Sequence, residues 1–222
     1  MGYRIVLASK SPRRKELLEK IGLEFEIWPS KVEEVMTKTS PEEVCVELCR
    51  QKALDVASQI KTYSEEHPDL TTPQDILVIG SDTIVAIPKV DRSEESSDGA
   101  SHTQYDLLGK PKDTSDAKRM LNMLSDNMHS VFTGVSFVFI SKEGRVGEYS
   151  FFEKTDVYFY PVDDDDIDQY IESGEPMDKA GAYGIQGEFL KFVKKIDGDF
   201  YNVVGLPVSR MWYELSNLGV KI

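Results

Sequence analysis

Cysteine is scarce in this chain: Cys45 and Cys49 are the only two in 222 residues. Four positions apart in a helical pattern, they suit neither a zinc knuckle nor the disulfide framework of a secreted domain, and they read as buried thiols. Long apolar runs are missing as well. No stretch approaches the roughly 20 residues that span a membrane. The start Met1-Gly2-Tyr3-Arg4-Ile5-Val6 has neither a signal-peptide core nor the Ser or Thr at position 6 that myristoylation requires. The expected address is therefore the cytoplasm, with no membrane partner. Positive charge is also in deficit, since 26 Lys and Arg face 39 Asp and Glu for a formal net charge of -13. Affinity for a nucleic-acid backbone needs a basic surface, so nucleic acid is not expected as a partner, and any phosphate site must be a local basic island. The acidic runs at 163–166 and at Glu94, Glu95 and Asp98 lack EF-hand spacing. They read as solvated, the first also as the carboxylate-rich start of a helix.

What the chain does have is 40% hydrophobic residues, enough for a real core. A short apolar run at 4–8 leads into Ser11-Pro12, an N-cap followed by Pro at the first helical position, and the helix should stop at Gly22. Residues 24–28 can form a second strand. Ser40-Pro41-Glu42-Glu43 opens another helix with a capping box, carried by apolar periodicity to about Ile60. The polar stretch 61–74 reads as a surface connection before a central strand at 76–79. Residues 88–106, rich in Ser and Asp, read as a mobile excursion at a hairpin tip. A helix over 114–125, a hairpin of 131–140 with 146–160 turned at Glu143-Gly144, and a short helix from Asp164 to Ser173, ended by Gly174, follow. Then come a Gly-rich loop at 180–187, a strand pair around Asp197-Gly198 and a last helix over 207–218. No repeat is visible. Helices interleaved with strands and hairpins imply an α/β fold with a mixed central sheet.

The loop Ser9-Lys10-Ser11-Pro12-Arg13-Arg14-Lys15 crowds cations around a helix N-terminus, the end where positive charge is unfavourable. A bound anion would reverse that, because free N–H groups, two hydroxyls and guanidinium forks would all point at phosphate oxygens. An ordinary Ser-Pro cap with solvated arginines is the plain alternative. Lys52 lies on the inward stripe Cys45, Cys49, Lys52, Val56, where it either contacts an anion or reaches past its neighbours to water. Lys110, between Gly109 and Pro111, is a phosphate ligand or a turn residue. Asp82 follows the central strand, where ligands of open α/β sheets gather. A carboxylate there can act as general base, bind Mg²⁺, or cap a turn. Glu33 and Glu34 read by themselves as surface acids. In the loop from Asp178 to Gly187, glycines allow close backbone approach, Tyr183 offers a ring for stacking and Gln186 an amide that can read a base edge. Such a loop can equally be a mere turn.

Taken together, Ser9-x-Ser11-Pro12-Arg13-Arg14-x-Glu16-Leu17-Leu18, Gln51-Lys52-Ala53, Gly80-Ser81-Asp82-Thr83, Leu108-Gly109-Lys110-Pro111, His129-Ser130-Val131-x-Thr133-Gly134-Val135 and the loop 177–187 resemble the Maf family of nucleotide pyrophosphatases, in order and over nearly the whole chain. The resemblance implies a single domain over 1–222, with the elongated two-lobed fold of the Maf and inosine triphosphatase group. It implies Asp82 as proton acceptor, Glu33 and Asp82 as organisers of a divalent metal, Mg²⁺ or Mn²⁺, and a triphosphate held by Ser9, Ser11, Arg13, Arg14, Lys52 and Lys110. Arg13, Thr83 and Gln186 look like the subfamily acting on dTTP and UTP; relatives acting on 7-methyl-GTP carry Trp, Gln and Glu at those places. A homodimer and a housekeeping role in removing modified pyrimidine nucleotides are implied too. Against this stand a phosphatase releasing orthophosphate and a non-catalytic nucleotide-binding regulator of cell division.

Overall fold

A computed structural model of the chain describes residues 2–67, 74–89 and 104–220. Strand β1 (Arg4–Leu7) leads to helix α1 (Pro12–Lys20). Pro12 suits the first helical position because the N–H it lacks would have had no partner there, and the Ser11 hydroxyl accepts from the Arg14 N–H. The expected second strand shrinks to β2 (Glu26–Ile27), parallel to β1. Both of its residues are exposed, and just past it the Trp28 N–H donates to the Leu7 carbonyl at 3.1 Å. Helix α2 (Pro41–Glu66) is capped by Ser40, whose hydroxyl accepts from the Glu43 N–H and donates to the Glu43 carboxylate at 3.1 Å. It runs past the expected end at Ile60, and its last turns bring Tyr63 edge-on to Trp28, ring centroids 5.7 Å apart. The first part of the connection expected at 61–74, up to Glu66, is thus helix, and 68–73 lie outside the described residues.

Strand β3 (Ile76–Pro88) corrects the placement of Asp82, which lies in mid-strand and not beyond the strand's end. Its first part, Ile76–Ile79, pairs in parallel with β1, and its last part, Val85–Pro88, pairs antiparallel with β4 (Tyr105–Leu108). A partner at each end keeps the strand going through Gly80 and Asp82. The hairpin expected around 88–106 has its stem, closed by Lys89 N–H donating to Gln104 O at 2.7 Å. The acidic run Glu94, Glu95 and Asp98 lies outside the described residues.

Helix α3 (Thr114–Leu124) buries Ala117, Met120, Leu121 and Leu124, the expected stripe. Strands β5 (Met128–Ile140) and β6 (Val146–Phe159) form the expected hairpin. In helix α4 (Asp164–Glu172), the Asp163 carboxylate accepts from the Asp166 N–H, so the acid run serves the helix start. The strand pair expected around Asp197-Gly198 does not form. Strand β7 (Val193–Asp197) takes β6 as its antiparallel partner, and the chain continues as helix α5 (Phe200–Val204) and then α6 (Val208–Asn217). The seven strands make one mixed sheet in the order β2-β1-β3-β5-β6-β7, with β4 on β3, flanked by helices as expected of an α/β protein.

The chain forms two compact units. The first comprises Met1–Thr83, Thr133–Glu153 and Tyr201–Ile222, the second Ile84–Phe132 and Lys154–Phe200. In the first, α2 packs Ala53, Val56, Ala57 and Ile60 onto Val6 of β1, Ala8 just after it, Ile76 and Val78 of β3, and Val138 of β5. Side chains alternate along a strand, so Gly80 and Asp82 continue the face of Ile76 and Val78. A Cβ on Gly80 would strike the Cys49 carbonyl and the Ala53 side chain, and one on Gly134 would strike the Cys45 carbonyl. Helix α2 therefore rests on bare strand backbone at two places. Gly134→Ala should cost about 1–3 kcal/mol in urea unfolding, because the added methyl meets helix backbone that no rotamer change can clear. Gly147→Ala, where a Cβ meets nothing within 4 Å, should stay within about 0.5 kcal/mol. Equal effects of the two would show that α2 does not sit on the sheet this way.

Candidate active site

In the first unit, β1 leads through Ala8 to buried Ser9, from which the chain enters the N-terminus of α1. The Ser9 hydroxyl accepts from the Ser11 N–H and from Arg14 Nη1, both at 3.2 Å. The other Arg14 donors go to Thr83 Oγ1 at 3.0 Å, from Nη2, and to the Gly205 carbonyl at 2.8 Å, from Nε. That carbonyl also accepts from Ser81 Oγ at 3.2 Å. Thr133 gives its proton to the Asn202 carbonyl at 3.0 Å, which leaves Thr83 to donate across the 3.0 Å contact with Thr133 Oγ1. Ser81 and Thr83 thus share the face of β3 opposite to Asp82. Burial lowers the Arg14 pKa, with Asp82 opposing, yet a guanidinium stays charged at any ordinary pH. Arg14 binds three segments of the unit together, whatever it does for a ligand. Arg13 beside it is half-buried, and Lys10 is exposed.

On the other face of β3, Lys52 of α2 donates to Asp82 Oδ1 and reaches Glu34 Oε1 at 2.8 Å. The Lys52 side chain is 16% exposed and that of Asp82 13%, so this ion pair is largely withdrawn from water. Lys52 does not stretch past its neighbours to solvent, as one sequence reading had it; a carboxylate is close enough to make that unnecessary. Both neighbouring acids are exposed, and of the two it is Glu34 that meets Lys52. Three side chains one helical turn apart on α2 tether the irregular segment that carries both acids. Asp55 accepts from the Lys31 N–H at 2.7 Å, Gln51 exchanges two hydrogen bonds with the Val35 backbone, and Glu47 accepts from the Thr37 N–H at 2.8 Å. Among the described residues no group of three or more His, Cys, Asp or Glu is arranged to hold a metal ion.

The second unit carries the remaining candidates. Lys110 is exposed and follows Gly109, whose carbonyl accepts from the Gly181 N–H at 3.0 Å. Gln186 is exposed on the Gly-rich loop. Tyr183 is not the open stacking platform that the sequence suggests. It is 5% exposed, its hydroxyl meets His129 Nε2 at 2.9 Å, and its ring packs edge-on against Phe159. It anchors the loop. Burial lowers the His129 pKa to about 3 and raises that of Tyr183, so both are neutral at physiological pH. Sequence reasoning had no role for His129, Thr133 or Gly205, although His129 and Thr133 stood in one of the quoted motifs as polar residues in an otherwise apolar strand.

A helix start lined by hydroxyls, beside a carboxylate held by an ammonium, is equipment of an α/β protein able to receive a phosphorylated ligand. The chain belongs to the Maf-like family, whose model matches residues 4–218. It is similar to the dTTP/UTP pyrophosphatase of Agathobacter rectalis, 56% identical over 218 residues and 98% of each chain. It is similar also to that of Carboxydothermus hydrogenoformans, 43% identical over 97% of this chain and 99% of the relative, and to that of Lachnoclostridium phytofermentans, 40% identical over 99% and 98%. A HAM1 protein from Coxiella burnetii is a distant structural match, 15% identical with a TM-score of 0.36 over 71% of this chain and 73% of that one.

The two thiols lie on α2 one and two turns before Lys52, and both are free and buried. Burial pushes the Cys45 thiol up to about 12 and the Cys49 thiol well above its ordinary value, with the Asp82 charge adding to both. A thiol reacts as its thiolate, so neither should react with Ellman's reagent in the native protein at about pH 8, and both should react in strong urea. Rapid modification of the native protein would contradict the burial of this helix face.

Proposed function

We propose that the chain is a nucleoside triphosphate pyrophosphatase that hydrolyses dTTP, UTP and modified pyrimidine nucleotides to the monophosphate and pyrophosphate. The observation that carries this reading is the Lys52–Asp82 pair, set on the α2 face of β3 in a chain 56% identical to a dTTP/UTP pyrophosphatase over nearly its full length. Asp82 accepts a proton from water as the water oxygen bonds to the α-phosphorus. The bond from that phosphorus to the bridging oxygen breaks, and pyrophosphate leaves. Lys52 has three donors: it orients the Asp82 carboxylate with one and offers another to a phosphate oxygen. Lys110, Ser9, Ser11, Arg13 and Arg14 hold the rest of the triphosphate by charge and hydrogen bonds.

Asp82 and Glu33, with Glu34 next to it, are hard oxygen donors that fit Mg²⁺ or Mn²⁺. The convergence of Asp82 and Glu34 on one ammonium supports a place for positive charge there. So small a protein ligand set suits cations that bind one or two carboxylates together with substrate phosphates and water. Such a cation would offset charge on the triphosphate. Arg13, Thr83 and Gln186 set the preference for thymine and uracil. In this reading the protein works in the cytoplasm as a homodimer and clears non-standard nucleotides. No helix among the described residues is long and apolar enough to cross a membrane.

Asp82→Asn should lower turnover of dTTP by about 10² or more while leaving nucleotide affinity within about tenfold, since the lost group acts on the water in the transition state. Lys52→Ala and Lys110→Ala should weaken binding as well. The products distinguish the rival chemistry: pyrophosphate and dTMP are expected, and stepwise orthophosphate would overturn the reading. EDTA should stop turnover and added Mg²⁺ or Mn²⁺ restore it; full activity in EDTA would remove the metal from the proposal.

A further inference from the structure

The Gly-rich loop of the second unit is shaped around a side chain that no reading of the motif singles out. Glu175 directs its carboxylate into the loop. Oε2 accepts the Glu188 N–H at 3.0 Å, and Oε1 accepts the Tyr170 hydroxyl at 3.1 Å. The same hydroxyl accepts the Gly184 N–H at 3.1 Å, so the backbone on both sides of Gln186 is tied to one carboxylate. The space taken by that carboxylate explains two of the glycines: a Cβ on Gly187 would fall on the Glu175 carboxylate, and one on Gly184 would meet Glu175 Oε1 and the Lys179 chain. Lys179, 13% exposed, stands 4.0 Å from Glu175 Oε1 and donates to the Glu175 carbonyl at 2.6 Å, which supplies a counter-charge. Gln186 itself is exposed, so burial in the core does not aim it. Its direction follows from the backbone on either side.

We infer that Glu175 is the positioning residue for base selection: by holding the backbone at Gly184 and Glu188 it aims Gln186, and through Gln186 it sets the affinity for the thymine or uracil ring. This rests on the proposed function, in which Gln186 meets the base. Glu175 does not touch substrate. Its contribution belongs to nucleotides that carry the ring and is absent for the pyrophosphate part of the ligand.

The experiment compares calorimetric binding of dTMP, which carries the base, and of pyrophosphate, which does not, in the wild type, Glu175→Ala, Glu175→Gln and Gln186→Ala. Glu175→Ala should weaken dTMP by about tenfold or more, as Gln186→Ala does, with pyrophosphate changed by less than about twofold. Glu175→Gln keeps the shape and an acceptor for the Glu188 N–H, and should restore most of the dTMP affinity. Unchanged dTMP binding in Glu175→Ala alongside a loss in Gln186→Ala overturns the inference, as does an equal loss of both ligands. Should Gln186→Ala bind dTMP normally, it is the reading of the base that has failed. Hydrogen exchange then decides on Glu175 alone: the Gly184 and Glu188 amides lose protection in Glu175→Ala if it holds the loop, and keep it if it does not. Gly187→Ala, which displaces the carboxylate from the other side, covers the case in which Glu175→Ala does not fold; it should reproduce the selective loss, and normal dTMP binding would count against the inference.

Discussion

Helix α2 lies directly on strand backbone at Gly80 and Gly134, and the chemistry of the first unit follows from that closeness. A side chain at position 80 would push the helix off the strand, and Lys52 would have further to reach to Asp82. With no Cβ between them at position 80, the lysine and the carboxylate two residues further along the strand meet as a pair, each largely withdrawn from solvent. The same helix presents Glu47, Gln51 and Asp55 outward to hold an irregular segment by its backbone, and that segment delivers Glu34 to Lys52. One packing distance thus governs both the partly buried ion pair and the acid that joins it.

Charge is distributed accordingly. A chain with a formal net charge of -13 nonetheless crowds cations around the start of α1, and the structure gives its candidate cations different employment. Arg14 is drawn inward and tied to Ser9, Thr83 and Gly205, while Lys110 remains exposed. A guanidinium suits the first task because its planar fork serves several acceptors at once and does not lose its proton when buried. Under the proposed function a lysine suits position 110, where one mobile point charge would follow a phosphate.

Features written in neighbouring residues were legible in the sequence. The Ser11-Pro12 helix start, the buried stripe of α3 and the acid run that caps α4 each depend on residues within a turn or two. What depended on distant partners was not. The length of β3 is decided by β4, which pairs with its far end, so Asp82 moved from a strand end to mid-strand. Tyr183 was read as a free ring because its partner His129 lies 54 positions away. Which of Glu33 and Glu34 meets Lys52 depends on a segment tethered by another helix, and no local pattern distinguishes the two. The roles of Glu33, Lys110 and Gln186 rest on family resemblance, and the geometry supplies their positions.

The bond from Arg14 to the Gly205 carbonyl joins residues 191 positions apart. During synthesis, at roughly 5–20 residues per second, the arginine leaves the ribosome well before the carbonyl that will receive it exists. Until then its Nε–H lacks that acceptor, and the start of α1 is held only through Ser9 and Thr83. The candidate site is thus among the last parts of the first unit to be completed. A growing chain can form secondary structure early, but it cannot grip a nucleotide in this way until the segment before α6 has arrived.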